Sequence, residues 1–141
     1  MTSYWDTSSV VPLLVPEPTS TELLERYHAE QAIVTWWGTL VECESALLRR
    51  QREGLSAEAV VIGRERLRSL RAAWTEVHPA DEVRTIAVRI LGSHALRAAD
   101  ALQLAAAVHA SDGEPGRLPF VTLDRRPGVA AAAEGFRVVG V

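Results

Sequence analysis

The sequence contains no lysine, because all fifteen of its basic residues are arginine. A phosphate-binding loop of the Walker type needs a lysine that reaches the nucleotide phosphates, so this class of nucleotide hydrolase is excluded. No G-x-G-x-x-G follows the first predicted strand, which argues against a dinucleotide-binding Rossmann enzyme. The formal net charge of −3 is unlike that of proteins that coat nucleic acid, although local arginines can still contact a few phosphates.

Cysteine and long apolar runs are also scarce. The single cysteine, Cys43, cannot form a disulfide framework, which fits a reducing compartment. No apolar run approaches the roughly 20 residues that a membrane span requires. The amino-terminal segment MTSYWDTSSVV lacks the basic and then apolar regions of a signal peptide. We therefore expect a cytoplasmic protein that does not associate with a membrane.

The 141 residues, 48% of them hydrophobic and 23% charged, predict one globular domain over residues 1–141. Short apolar stretches such as QAIVTWW and FVTLD predict strands, and they alternate with amphipathic stretches that predict helices. This alternation predicts an α/β protein whose mostly parallel central sheet is flanked by helices. We expect the first strand to end near Asp6, the fourth to end at Asp124, and Pro12 to lie in the first turn of a helix.

Four acidic residues from distant segments are candidates for one site. Asp6 and Asp124 end strands, and ligands of an open parallel sheet bind beyond the carboxyl ends of its strands. Glu42 and Asp100 fall in the first turns of helices predicted to start at that edge. Because close carboxylates repel, a divalent cation with a preference for oxygen ligands, such as Mg²⁺, would hold them together. Bound ions of this kind can promote phosphodiester hydrolysis.

Each acid also has a purely structural interpretation. Asp6 and Asp124 could cap the helices that follow them. Asp100 could pair with Arg97 or simply favour the positive end of its helix, and Glu42 could be a first-turn acid without function. Four coincidences at one edge are less probable than any one of them, which favours a shared site.

Other residues near this edge have two interpretations each. Arg97 and Arg125 could bind a phosphate of a substrate or form structural ion pairs. Three tryptophans could stack on an unpaired base, although core packing is the simpler role: Trp5, Trp36 and Trp37. One helical face could belong to the core or to an interface: Leu23, Leu24 and Tyr27.

Four stretches, YWDTSSVV, LVECESALLRR, LRAADALQLAAAV and FVTLDRRPGVAAAAEGFRVV, resemble the acidic motifs of PIN-domain ribonucleases in order and spacing. Within that family they are similar to VapC-type toxins of bacterial type II toxin–antitoxin modules. The resemblance implies a PIN-like three-layer fold with an acidic pocket for Mg²⁺ or Mn²⁺. It implies that three acids bind the metal, that Glu42 orients the attacking water, and that Ser8 supports the site. The three implied metal ligands are Asp6, Asp100 and Asp124.

The resemblance further implies hydrolysis of structured RNA to 5′-phosphate and 3′-hydroxyl ends, inhibition by a cognate VapB-type antitoxin, and a homodimer. Two positions depart from the family pattern, Gln103 and Pro127. Neither is expected to touch the acids, so we expect both to affect substrate fit rather than metal binding. The alternatives are a catalytically inactive PIN-like binding module and a phosphatase of the haloacid dehalogenase type, which needs a second aspartate where this chain has Ser8.

Overall fold

The computed structural model describes residues 1–141 and confirms an α/β architecture. A short 3₁₀ turn, Pro115–Arg117, precedes the fourth strand. In chain order the strands and α-helices are β1 (Thr2–Trp5), α1 (Thr7–Leu14), α2 (Ser20–Ala29), β2 (Ala32–Trp36), α3 (Thr39–Arg52), α4 (Ala57–Ala73), β3 (Thr75–Val77), α5 (Asp81–Ser93), α6 (Ala98–Ala110), β4 (Phe120–Val121), α7 (Arg125–Ala133) and β5 (Val138–Val139).

The five strands form one parallel sheet in the order β3-β2-β1-β4-β5. The chain first builds outward from β1 through β2 to β3, and then crosses to the other side of β1 for β4 and β5. In the register of the central pair, Tyr4 lies opposite Phe120 and Trp5 opposite Val121. The order therefore reverses between β1 and β4, which is where open α/β sheets bind their ligands.

Helices cover both faces of the sheet, and successive strand residues point to opposite faces. Tyr4 and Phe120 pack with α5, α6 and α7, whereas Trp5 and Val121 pack with α1, α2, α3 and α4. The inner strands β1, β2 and β4 are buried on both sides, apart from the first residues of β1 and β2, so they lack the alternation of a half-exposed sheet. The edge strands β3 and β5 are only partly buried. The two cores hold the carboxyl ends of β1, β2 and β4 at one edge.

Two sequence predictions about element boundaries are wrong. Pro12 lies inside α1 rather than in its first turn, because the side chain of Asp6 caps the helix and starts it at Thr7. Strand β4 ends at Val121, three residues before Asp124. It ends there because the backbone N–H of Leu123 donates to Ser8 Oγ, at 2.8 Å, instead of to a neighbouring strand.

The aromatic and apolar candidates divide between core and surface. Trp5 and Trp36 are buried, which confirms core packing for these two, whereas the side chain of Trp37 is 52% exposed. Cys43 is buried and free. Leu23 belongs to the core, but its neighbour Leu24 is 44% exposed. None of the helices has both the length and the apolar character needed to span a membrane.

Candidate active site

Asp6 sits at the switch point, directly after β1, and its side chain is only 4% exposed. Its Oδ1 accepts hydrogen bonds from Ser8 Oγ, at 2.7 Å, and from the backbone N–H of Ser9, at 3.2 Å. Its Oδ2 accepts from Thr122 Oγ1 at 2.5 Å. Burial raises the pKa of Asp6 to about 6, and the hydrogen bonds from Thr122, Ser8 and Ser9 offset this only in part. At neutral pH the site therefore contains a buried anion.

Thr122 and Ser8 tie the ends of β1 and β4 together. Thr122 Oγ1 donates to Asp6 and accepts from the backbone N–H of Asp124 at 3.0 Å. Ser8 Oγ similarly donates to Asp6 and accepts from the backbone N–H of Leu123. Two hydroxyl groups thus fix the position of Asp6 relative to the segment that leads to Asp124.

Glu42 lies in the first turn of α3 and is held by two side chains. Its Oε1 accepts from Thr7 Oγ1 at 3.0 Å, and its Oε2 accepts from Gln103 Nε2 at 3.2 Å. Gln103 is 2% exposed, its Nε2 also lies 3.0 Å from Thr39 Oγ1, and its Oε1 accepts from the hydroxyl of Tyr4. The expectation that Gln103 stays away from the acids is therefore wrong, since α6 faces α3 across this end of the sheet.

The four acids influence one another electrostatically. Burial is the largest cause that raises the pKa of Glu42, and the negative charges of Asp100 and Asp6 raise it further. Burial also raises the pKa of Asp100, followed by the negative charge of Asp124. Like charges raise the pKa of a carboxyl group only when they lie close to it. The structure therefore brings the four predicted acids to one end of the sheet.

Two of the structural interpretations are also realised. Asp124 is exposed and caps α7, because its Oδ1 accepts from the backbone N–H of Arg126 at 3.2 Å, and Asp6 caps α1. The proposed Arg97–Asp100 ion pair does not form. The positive charges of Arg97 and Arg126 nevertheless lower the pKa of Asp100 in part. None of the seven salt bridges includes any of the four acids.

The donor chemistry of the site suits a hard divalent cation, although the side chains do not form a closed ligand set. No group of three or more His, Cys, Asp or Glu side chains is placed to hold a metal ion. All the candidate donors are carboxylate oxygens, which Mg²⁺ prefers. Asp6 is a buried anion without a cationic partner, and such a charge is costly unless something compensates it. A cation at this point would supply that compensation.

The sequence analysis missed the polar residues that position the acids: Tyr4, Thr7, Thr39, Gln103 and Thr122. Only Thr122 carried a local signal, as a hydroxyl between the apolar strand and Asp124. Pro127, the other departure from the family pattern, is buried near the start of α7.

A family model of the PIN domain matches residues 3–133, so the chain belongs to the PIN domain family. Its fold is similar to that of VapC20 from Mycobacterium tuberculosis, a sarcin-ricin-loop-cleaving toxin, with 19% identity, a TM-score of 0.67, and coverage of 100% of this chain and 98% of that one.

Two further solved structures share the fold. A toxin–antitoxin complex from Klebsiella pneumoniae has 18% identity and a TM-score of 0.64, covering 97% of this chain and 95% of that one. VapBC-5 from Mycobacterium tuberculosis has 17% identity and a TM-score of 0.60, covering 98% and 95%. No curated protein matches the sequence at a significant level. At these identities the likeness establishes a common fold.

Proposed function

We propose that this chain is a metal-dependent endoribonuclease that acts as the toxin of a type II toxin–antitoxin module. The observation that carries the proposal is the meeting of Asp6, Glu42, Asp100 and Asp124 beyond the strand ends, with no salt bridge to any of them. Asp6 is the buried member of the four, and a buried acid with a purely structural role would be expected to have such a partner. Membership of the PIN family and the fold shared with VapC toxins support the same function.

The residues have distinct proposed roles. Asp6, Asp100 and Asp124 would hold Mg²⁺ or Mn²⁺, and Ser8 keeps the carboxylate of Asp6 in place. When bound, a divalent cation supplies a water of lowered pKa and offsets the negative charge that develops on the scissile phosphate. Glu42 would orient the attacking water. Hydrolysis in this arrangement is expected to leave 5′-phosphate and 3′-hydroxyl ends.

Conservative substitutions of two acids test the proposal. The variants are Asp6→Asn and Asp100→Asn. An asparagine side chain has nearly the shape of aspartate but no charge, so we expect both variants to stay folded and to unfold cooperatively on heating. RNA cleavage, followed on a gel in Mg²⁺ and in Mn²⁺, should fall by at least about 100-fold. The control is Glu44→Gln, because Glu44 lies on the same helix as Glu42 but pairs with Arg64 at the surface. Full activity in either Asn variant would refute the proposed roles.

A metal titration separates this proposal from the inactive binding module. The observation that favours the inactive module is the lack of three acids placed to hold an ion. If metal binds, free ion at 100 times the dissociation constant should stabilise the folded chain by about 2.7 kcal/mol. That stabilisation should be absent in Asp6→Asn. A wild-type chain that neither cleaves RNA nor gains stability with Mg²⁺ or Mn²⁺ would favour the inactive module.

We propose that a cognate antitoxin of the VapB type covers an apolar groove between α1, α2 and α4. The groove has a volume of about 610 Å³, and Leu24 and Ile62, 44% and 47% exposed, line it together with Pro12 and Pro16. Exposed apolar side chains around one depression are typical of protein–protein contacts. A homodimer remains a prediction from the family resemblance.

A further inference from the structure

A second pocket adjoins the acidic site. It lies between α7 and the connection from α5 to α6, and has a volume of about 470 Å³. Its residues Arg125 and Arg126 directly follow Asp124, and its other wall leads through Leu96 towards Asp100. We call it the Arg125–Arg126 pocket. Its lining is Ser93, His94, Ala95, Leu96, Arg125, Arg126, Val129 and Ala130.

The two arginines of this pocket have free guanidinium groups. Neither side chain takes part in any of the seven salt bridges or in a side-chain hydrogen bond, and both residues are exposed. Glu134, directly after the end of α7, is already engaged by other side chains. Arg89 Nη2 contacts its Oε1 at 2.8 Å, and His94 Nε2 contacts its Oε2 at 2.8 Å. Positive charge therefore remains available at the mouth of the pocket.

Apart from Ser93 and His94, the rest of the pocket lining is apolar, and the walls of the pocket are firmly held. Ala130 is buried, Leu96 is half-buried, and Val129 is 64% exposed towards solvent. The contacts of Glu134 with Arg89 and His94 join the end of α5 to the end of α7, which fixes the two walls relative to each other. A pocket of this volume, with an apolar surface and a few polar groups, suits a small ligand.

We propose that the Arg125–Arg126 pocket binds one nucleotide of the RNA strand next to the scissile phosphate. The inference rests on the proposed function, because it identifies how the same substrate is held. The guanidinium groups of Arg125 and Arg126 bind the phosphate, since arginine matches phosphate geometry with paired N–H donors. The base packs on Leu96 and Val129. The pocket thus favours an unpaired nucleotide, because a paired base must first be unpaired and unstacked, which costs a few kcal/mol.

Binding is measured by fluorescence anisotropy with a short labelled single-stranded RNA in EDTA, at several salt concentrations. Arg125→Gln with Arg126→Gln should weaken binding about tenfold, and should reduce the slope of log K against log salt by about 0.7, the value for one phosphate contact on a single strand. The matched control is Arg68→Gln with Arg71→Gln. These arginines are also exposed and unpaired, but they end α4 just before β3 begins, at the opposite edge of the sheet.

A second variant tests the apolar wall. Val129→Ser should weaken RNA binding roughly fivefold with an unchanged salt slope, because it removes apolar contact and no charge. The control is Val61→Ser, because Val61 is 54% exposed on α4. Equal losses in the test and control variants, or no RNA binding by the unmodified chain, would overturn the proposal. If the double variant Arg125→Gln with Arg126→Gln changes its oligomeric state and the control variants do not, the two arginines form a contact between chains. That result would overturn the proposed RNA pocket.

Cleavage is assayed separately, in Mg²⁺ and in Mn²⁺, so that the two proposals can fail independently. A chain that binds RNA through Arg125 and Arg126 but never cleaves it would refute the nuclease function and keep the pocket. If the wild type and the double variant Arg125→Gln with Arg126→Gln both cleave RNA with the same KM, the nucleotide-binding role of the pocket is refuted. The nuclease function would stand.

Discussion

Gln103→Leu should destabilise the fold through the polar contacts that this side chain makes. The substitution keeps the approximate volume but removes the acceptor of the Tyr4 hydroxyl. It also removes the donor to Thr7, Thr39 and Glu42. Tyr4 is completely buried, so its hydroxyl has no access to water. A buried polar group left without a partner costs about 1–3 kcal/mol. With one such group and three weakened acceptors, we expect a loss of about 3 kcal/mol in the free energy of unfolding.

Urea unfolding followed by circular dichroism measures this loss of free energy. In thermal unfolding, the Tm should fall by about 10 °C for a chain of this size. Gln51→Leu is the control, because Gln51 is exposed on α3 and its replacement should change stability by less than about 0.5 kcal/mol. Tyr4→Phe combined with Gln103→Leu should cost about 1 kcal/mol less than the sum of the single changes, because the double variant leaves no unpaired hydroxyl. Strict additivity would refute the contact.

The same substitution separates positioning of Glu42 from metal binding. Gln103 contacts Glu42 and none of the three proposed metal ligands. Cleavage by Gln103→Leu, measured as kcat below its unfolding temperature, should therefore fall by about 10–100-fold. Its stabilisation by Mg²⁺ or Mn²⁺ should stay as in the wild type. Loss of the metal-induced stabilisation would show that Glu42 is itself a metal ligand and would refute its assignment to the water.

Two further predictions concern the partner groove and acid stability. Leu24→Glu should abolish co-purification of the chain with the antitoxin. Leu48→Glu, at a similarly exposed position on α3, should not. If both variants retain the antitoxin equally, this groove is excluded as its binding site. The hydrogen bond from Arg89, and then that from His94, lowers the pKa of Glu134, so the ionised group stabilises the fold above its ordinary pKa. This stabilisation is lost as the pH falls through the lowered value. The Tm advantage of the wild type over Glu134→Gln should therefore shrink as the pH falls below the ordinary pKa of 4.5, and a constant advantage would contradict it.

The parallel sheet and the convergence of the acids could be predicted from sequence because both follow from local patterns. Apolar stretches mark the strands, and parallel strands place their carboxyl ends at one edge. The position of Asp6 at that edge could therefore be predicted from the apolar stretch of β1, which Asp6 directly follows. Glu42 and Asp100 followed, since helices that leave this edge carry them in their first turns.

The polar groups that hold the acids could not be predicted, because their roles depend on the order of the strands. Thr122 reaches Asp6 across 116 residues, and Gln103 reaches Thr7 across 96. Such contacts arise only when β4 pairs with β1 and α6 crosses the sheet towards α3. No periodicity of the sequence encodes them. The early end of β4 has the same origin, since the competing acceptor for its backbone is Ser8 on another element.

Asp6 can cap α1 and also belong to an active site. The capping role does not explain why its carboxylate is buried, whereas a role in an active site does. Asp124 caps α7 with one hydrogen bond while exposed, so capping itself needs no burial. Asp6 caps α1 with its carboxylate 4% exposed and with a raised pKa, and it has no arginine in contact to compensate the charge. A cap alone would gain stability by moving this carboxylate to solvent. A buried and uncompensated anion, rigidly oriented by Ser8 and Thr122, is instead what a cation site requires before its ion binds.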